Sequence, residues 1–376
     1  MKHLCFVTSS PLTVNFFLAP LLIHLARSYR VTLVVNTGEG VALVPLPGVE
    51  IVALDLRRRW SPLVDLKALL GLVILFRRRR FDAVHSISPK SGLLAMLASW
   101  LARVPRRLHT FTGQIWAIGR GPRQAFLKMA DRCIASCATH VLADSLSQAA
   151  FLEANGVVAA GKCAVLGIGS VSGVDTQRFR PDPAARSQQR AELGIAPDAT
   201  VILFLGRTKV EKGVPELARA FADIAGRHED AHLLLVGPDE EGLWPSVRQT
   251  CAAYAARLHT IGYTFAPERY VAAADVLALP SHREGIGTVI IEAAAAGVPA
   301  VASRIYGISD ALVDEETGLL HTSGDARDLA RQLERLLNDT NLRAKLGTQA
   351  RARVLRCFEQ GHMIRLFEQY YAEIRA

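Results

Sequence analysis

The sequence contains no Asp-x-Asp pair, no Cys-x-x-Cys pair and no internal repeat. The first absence removes the obvious ligand set for a divalent metal on a diphosphate, so no metal and no cofactor are expected. The second argues against zinc-finger and dithiol redox chemistry. Its cysteines, Cys5, Cys133, Cys137, Cys163, Cys251 and Cys357, are scattered and form no metal-ligand spacing with histidine. That usage points to reduced, mostly buried thiols in a cytosolic protein. After Met1 comes KHLCFVTSS, which lacks the basic start, long apolar stretch and small-residue cleavage site of a signal peptide and is read as a first core strand. Long apolar runs are missing as well. The stretch 63–76, LVDLKALLGLVILF, carries Asp65 and Lys67 and falls well short of the roughly 20 residues that span a bilayer.

What is present is a chain of 376 residues, half of them hydrophobic, which suits two ordered domains. Its charge is uneven. Residues 1–188 hold 23 Lys/Arg against 10 Asp/Glu, a balance of +13, whereas the remainder holds 21 against 25, a balance of −4. A basic first half fits a polyanionic partner, either nucleic acid or an anionic membrane surface carrying a phosphorylated substrate, or else a solvated basic face. The 63–76 stretch lies between RRR (57–59) and RRRR (77–80). It is either a helix lying in an anionic interface or a buried helix between basic loops.

Along the first half, short β-rich runs alternate with helical stretches: HLCFVTSS, FFLAPLLIHLARS, VTLVVNTG, a long helical tract, FDAVHSIS, SGLLAMLASWLARV and RRLHTFTG. The alternation restarts with TVILFLGR, a helix from about Pro215 to Gly226, AHLLLVG, a helix through VRQTCAAYAARL, HTIGY and DVLALPS. The expected fold class is α/β, with two doubly wound parallel-sheet units in series. The polar run GIGSVSGVDTQRFRPDPAARSQQR reads as the linker. It places the first domain at 1–172 and the second at 173–359, with a helical tail to 376.

The segment SHREGIGTVIIEAAAAGVPAVAS (281–303) follows a strand and reads as a glycine turn opening a helix that Gly297 and Pro299 end. Backbone N–H groups at Gly287, Thr288 and Val289 would face an anion there. Glu284 and Glu292, eight residues apart, are poor neighbours for phosphate but good acceptors for hydroxyl pairs, so a phosphate flanked by two diols fits the spacing. A helix-start acid that only steadies the dipole, with Glu284 solvated, accounts for the same residues. Gly206 and Arg207 close the strand TVILFL, and Lys212 stands before the next helix. Cations at the carboxyl ends of strands in open α/β sheets suit a diphosphate.

The segments GRTKVEKG, LLLVGPDEEG, LHTIGYT, AAADVLALPSHREGIGTVIIEAAAAGVPAVAS and EETGLL, in this order, resemble the C-terminal domain of the GT-B retaining glycosyltransferases of family 4. The resemblance implies two Rossmann-like domains facing a cleft, with the last helix, from about 360, crossing back to the first. It assigns Arg207 and Lys212 to the donor diphosphate, Glu292 to the ribose and Glu284 to the donor sugar. Gly285, Ile286, Gly287 and Thr288 become backbone donors around sugar and phosphate, and Ile261 to Tyr263 the loop beside the base.

DAVHSISPKSGLLAMLA and RRLHTFTGQIWA match more loosely the acceptor-side segments of enzymes that build bacterial surface polysaccharides. They mark Thr112, Gly113, Gln114, Lys90 and Asn15 as acceptor-side candidates. Two departures stand out: SSPLTVNFF replaces the family's double glycine, and Thr112 stands where many members have His. His109, three residues earlier, reads as a core or sheet-edge residue.

The expected function is retaining transfer of a sugar, an N-acetylated hexosamine by preference, from a UDP-sugar to a lipid-linked saccharide in lipopolysaccharide or O-antigen synthesis. The expected location is peripheral, on the cytoplasmic face of the inner membrane. Competing readings are a sugar-nucleotide epimerase or phosphorylase on the same architecture, and a basic nucleic-acid-binding protein. Against the last, the arginine runs lack interleaved aromatics and no recognition motif occurs, so no nucleic-acid partner is expected.

Overall fold

The computed structural model describes residues 2–38, 40–57 and 60–374. Met1, Arg58 and Arg59 of the first arginine run, and the last two residues of the tail lie outside them. The chain divides into two compact units, Met1–Ser172 with Gly361–Ala376, and Gly173–Gln360.

The first unit is built on seven parallel strands: β1 (His3–Thr8), β2 (Arg30–Val35), β3 (Val49–Ala53), β4 (Ala83–Ile87), β5 (Arg106–Phe111), β6 (His140–Ala143) and β7 (Cys163–Ala164). Their order across the sheet is β3-β2-β1-β4-β5-β6-β7. β1 is buried along its whole length, as a strand covered by helices on both faces must be. β3 was hidden inside the expected helical tract. Its residues alternate between half-buried and exposed at the sheet edge, which makes a weak apolar signal. The C-terminal helix Gln360–Glu373 belongs to this unit, with Met363, Phe367 and Tyr371 buried and the Tyr371 hydroxyl against His85 Nδ1. Glu368 also pairs with His24 at 3.0 Å.

The second unit holds β8 (Thr200–Leu205), β9 (Ala231–Val236), β10 (Leu258–Ile261), β11 (Val276–Leu279), β12 (Ala300–Ser303) and β13 (Gly318–His321). They pair in parallel in the order β10-β9-β8-β11-β12-β13. The order reverses between β8 and β11, and such a switch point opens a crevice at the carboxyl ends of the strands.

Two expectations about this unit need correction. The second half of the expected linker is the helix Pro183–Leu193, capped by Asp182, whose side chain accepts from Ala185 N at 2.9 Å. Its arginines are not solvated. Arg190, 2% exposed, donates to Asp275 at 2.6 Å and to the carbonyls of Ala199, Pro197 and Ala273. Arg186 takes the other Asp275 oxygen at 2.6 Å. The Asp275 carboxylate, 12% exposed, thus holds two cations of the run that reads as a linker. The helix expected through VRQTCAAYAARL breaks at Cys251 into Trp244–Thr250 and a short 3-10 turn, Ala252–Arg257.

Candidate active site at the carboxyl edge of the second sheet

β8 delivers Gly206 and Arg207 to the edge of the second sheet, and a 3-10 turn, Val210–Lys212, follows. Gly213 then opens the helix Val214–Ile224 with φ of 70°. Only glycine fits there, because a Cβ would lie 2.0 Å from the Pro280 carbonyl oxygen. This close approach presses the turn after β8 against the loop after β11.

The two loops are then joined by charge. Lys212 Nζ lies 2.6 Å from Glu284 Oε1. Arg283 donates to both oxygens of Glu211, at 2.9 to 3.1 Å, and His282 N donates to the Glu211 carbonyl at 2.9 Å. Burial works against the Glu211 charge, but the Arg283 guanidinium with Lys212 and Lys209 together hold the carboxyl below its ordinary range. Arg207 faces Glu240 at 3.3 Å, and Lys209 reaches the same carboxylate at 3.0 Å.

The helix Thr288–Ala295 begins at Gly287, which has φ of 71° and ψ of 60°, and no side chain caps it. The N-terminal N–H groups of that helix therefore remain an anion site. Ile286 is buried and anchors the turn, while Gly307 supports it from behind, where a Cβ would come within 2.3 Å of the Gly285 carbonyl oxygen.

Glu292 stands in the second turn of the same helix, and among the described residues no hydrogen bond to its carboxyl occurs. Burial pushes it up to about 7, with Arg178 working in the opposite direction and Glu268 reinforcing the rise. Arg178 also holds the loop after β10, donating to the Phe265 carbonyl at 2.7 Å and to Glu268 at 2.8 Å. Ile261 ends β10, and Tyr263 beyond it is exposed, edge-on to the exposed Phe265 at 4.9 Å. The edge therefore presents cations, helix-start amides, the Glu292 carboxyl and an aromatic pair. That combination can hold an anion beside hydroxyls and a flat ring.

Sequence reading missed Glu240, which pairs with Arg207, the Glu211–Arg283 pair that joins the two loops, and Gly307, which supports the turn. The pair Glu211-Lys212 inside VEKG was the available signal, since an acid beside a binding cation needs its own partner. Among the described residues, no three His, Cys, Asp or Glu side chains gather where a metal ion would fit.

The acceptor-side candidates lie in the first unit and are more dispersed. Thr112, half-buried, and Gly113, with φ of 104°, follow β5, and buried Gln114 accepts from Gln148 Nε2 at 3.3 Å. Asn15 lies in a π-helical turn, where its side chain donates to the Ala42 carbonyl and accepts from Val44 N, tying down the loop. Lys90 needs correction. It is the second residue of the helix Pro89–Leu101, not a loop residue, and it is buried with its ammonium 2.5 Å from Asp65 Oδ1. The ion pair withdraws it from an external acceptor. His109 is buried inside the sheet, accepts or donates at Ser86 Oγ and is held neutral by burial, down to about 3. It belongs to the core, not to an edge.

Residues 185–353 match the model of the glycosyl transferases group 1, and residues 17–169 that of a glycosyl transferase 4-like domain. The chain is 30% identical over 291 residues to the capsular polysaccharide biosynthesis glycosyltransferase CapM of Staphylococcus aureus, covering 77% of this chain and 76% of that protein. It is 32% identical over 294 residues to the D-inositol 3-phosphate glycosyltransferase of Streptomyces avermitilis, covering 74% of this chain and 62% of that one. This chain therefore spans under two thirds of that longer relative. In fold it resembles HepE of Anabaena, solved in complex with UDP and glucose, with a TM-score of 0.80, 19% identity and coverage of 99% and 100%. Two parallel-sheet Rossmann-like units, a GT-B fold and these matches agree: the chain belongs to the group 1, family 4-like glycosyltransferases.

Proposed function

We propose that this glycosyltransferase moves an N-acetylated hexosamine from a UDP-sugar to a lipid-linked saccharide during synthesis of a bacterial surface polysaccharide, with retention at the anomeric carbon. The observation that carries the donor reading is the pairing of Lys212 with Glu284 beside an uncapped helix start, with the carboxyl of Glu292 in the second turn of that helix. On donor binding the diphosphate takes Lys212 and Arg207, and Glu284, released from its cation, accepts from sugar hydroxyls. Glu292 accepts from the ribose, and the ring of Tyr263 lies beside the base.

As the sugar–phosphate bond breaks, negative charge grows on the leaving diphosphate. Cations and helix-start amides already in place stabilise that charge most in the transition state. The acceptor oxygen forms its bond to the anomeric carbon on the face the diphosphate leaves, and the hydroxyl proton passes to the departing phosphate. In this reading Arg207, Lys212 and the helix dipole meet the diphosphate charge without a metal ion. The relative named for capsular polysaccharide biosynthesis supports a surface-polysaccharide product, and the neighbour solved with UDP supports the uridine donor.

A thermal-shift screen of the full chain against UDP-, GDP- and ADP-sugars tests the donor. Stabilisation by UDP-N-acetylhexosamines that follows mass action is expected. Stabilisation by GDP- or ADP-sugars alone would overturn the uridine assignment.

A further inference from the structure

The helix Val214–Ile224 and the loop after β11 meet at a further polar contact, outside the groups assigned to the donor. Glu216 stands in the first turn of that helix, and His282 stands two residues before Glu284. Glu216 Oε2 and His282 Nε2 face each other at 3.8 Å. Both atoms are buried, and among the described residues neither has a hydrogen-bond partner.

The groups around them are engaged. The other Glu216 oxygen accepts from Arg219 Nη2 at 3.1 Å, and the His282 amide donates to the Glu211 carbonyl at 2.9 Å. The backbone at His282 is therefore pinned, while its ring stops about 1 Å short of a hydrogen bond. A donor and an acceptor that have both lost water and face each other unbonded form an unfinished contact. The main chains around it are already pressed together, since Gly213 sits where a Cβ would lie 2.0 Å from the Pro280 carbonyl oxygen. Rotation of the two side chains is enough to close the gap.

What distinguishes this contact is the element it reaches. The Lys212–Glu284 pair, the Arg283–Glu211 pair and the bond from the His282 amide all tie the loop to the turn Val210–Lys212. That turn carries Lys212 and must adjust when its ammonium moves from Glu284 to a diphosphate. Glu216 lies beyond Gly213, on the helix itself, whose Val214, Leu217, Ala218 and Phe221 are buried. A bond from His282 to Glu216 therefore references the loop to a fixed element instead of to the adjusting turn. It also runs with its signs reversed, the acid on the helix side and the donor on the loop.

We infer that Glu216 and His282 are positioning residues for Glu284. Their hydrogen bond closes as Lys212 turns to the diphosphate, and it keeps Glu284 in place at the sugar hydroxyls once its cation has left. The inference rests on the donor reading proposed above, and it assigns to this pair the task of holding the sugar end of the site while the phosphate end rearranges. UDP alone carries no sugar, so its affinity does not depend on the pair.

The test is turnover of the full chain with the UDP-sugar that the thermal-shift screen selects, beside UDP affinity by calorimetry. His282→Phe keeps a flat ring and removes the donor. It should lower kcat about tenfold or more, the scale of an ångström misplacement, with UDP affinity unchanged. His282→Gln, whose amide reaches the place of Nε2, should stay within about threefold of the parent. Glu216→Leu should match His282→Phe, and the two substitutions together should lose no more than either alone, because each removes the same bond. Parent-like kcat in His282→Phe would overturn the inference. So would a His282→Gln variant as slow as His282→Phe, losses that multiply in the double variant, or UDP affinity that falls in step with kcat, since the ring would then serve packing alone. A parent chain that no UDP-sugar stabilises would overturn the donor reading and this inference with it, which tells the two failures apart.

Discussion

The two units of this chain use their charges in opposite ways. Along the carboxyl edge of the second sheet nearly every cation has an acid opposite it: Lys212 with Glu284, Arg283 with Glu211, Arg207 and Lys209 with Glu240. On the helices Pro62–Arg79, Pro89–Leu101 and Gly121–Cys137 of the first unit, Arg79 pairs with Glu50, the other exposed cations have no acid opposite them among the described residues, and the acids Asp65 and Asp131 are buried. Charges held in mutual pairs are preorganised, and they suit a ligand that must be gripped in one geometry. Charges left open suit a fluid, multivalent anion that needs no fixed geometry. The paired charges of the second unit suit recognition of a small donor, whereas the open cations account for the basic balance of the first half.

The comparison breaks first at Lys212. Lys212→Ala or Arg207→Ala is expected to lower turnover by roughly tenfold to a thousandfold, the scale of a lost transition-state donor. Steady-state kinetics with saturating UDP-sugar checks this, and near-normal turnover in both variants would remove the diphosphate assignment. A comparable effect, on stability, is expected from Gly213→Ala. The added Cβ meets the Pro280 carbonyl at 2.0 Å and the residue must keep a φ of 70°. The two loops must separate, at a cost of about 2–4 kcal/mol in chemical denaturation.

Glu292 sharpens the comparison, because it is an acid of the second unit without a partner. Its folded value of about 7 lies above the ordinary 4.5. The folded chain therefore holds this proton more tightly than the unfolded chain, and that stabilising contribution is present below about pH 4.5 and lost as pH rises through about 7. Glu292→Gln should thus leave stability nearly unchanged at the acid end of that window and raise it by roughly 1–3 kcal/mol above it. Above that window the same variant should bind UDP more weakly, since the amide offers one acceptor oxygen where the ionised carboxyl offers two. Denaturation at two pH values together with UDP titration reads both effects. The smallest effect is expected for Arg283→Ala. It frees the Glu211 carboxylate beside Lys212 and should lower turnover about threefold to tenfold while leaving UDP affinity closer to the parent.

These residues also show what a sequence displays and what it hides. The β8 run TVILFL and the glycine turn before Thr288 were legible because burial and φ each restrict residue choice locally. The β-α alternation was legible for the same reason through β5 and from β8 to β11, except at β3, whose edge position leaves two of its five residues exposed; the short strands β6, β7, β12 and β13 were not read as strands. The helix Pro183–Leu193 reads as part of the linker because Asp275, the acid that pairs with its Arg186 and Arg190, lies some eighty residues away in the chain. Lys90 misled in the same manner through Asp65. The donor-side residues were named from a local motif and fall on one sheet edge. The acceptor-side ones were named from a looser likeness, and three of them, Lys90, Asn15 and Gln114, are occupied in internal contacts. Glu211 and Arg283 were missed because their pairing is visible only when two loops meet.

The central claim is transfer from a uridine donor to a lipid-carried acceptor, and it is tested most directly by following label from UDP-N-acetylhexosamine. The full chain is incubated with bacterial membranes and the labelled donor, and label is measured in the lipid-extractable fraction beside released UDP. The account predicts equal amounts of lipid-linked sugar and UDP, with both lost in Lys212→Ala. UDP released without lipid-linked label, or a free isomerised sugar nucleotide in its place, would contradict it.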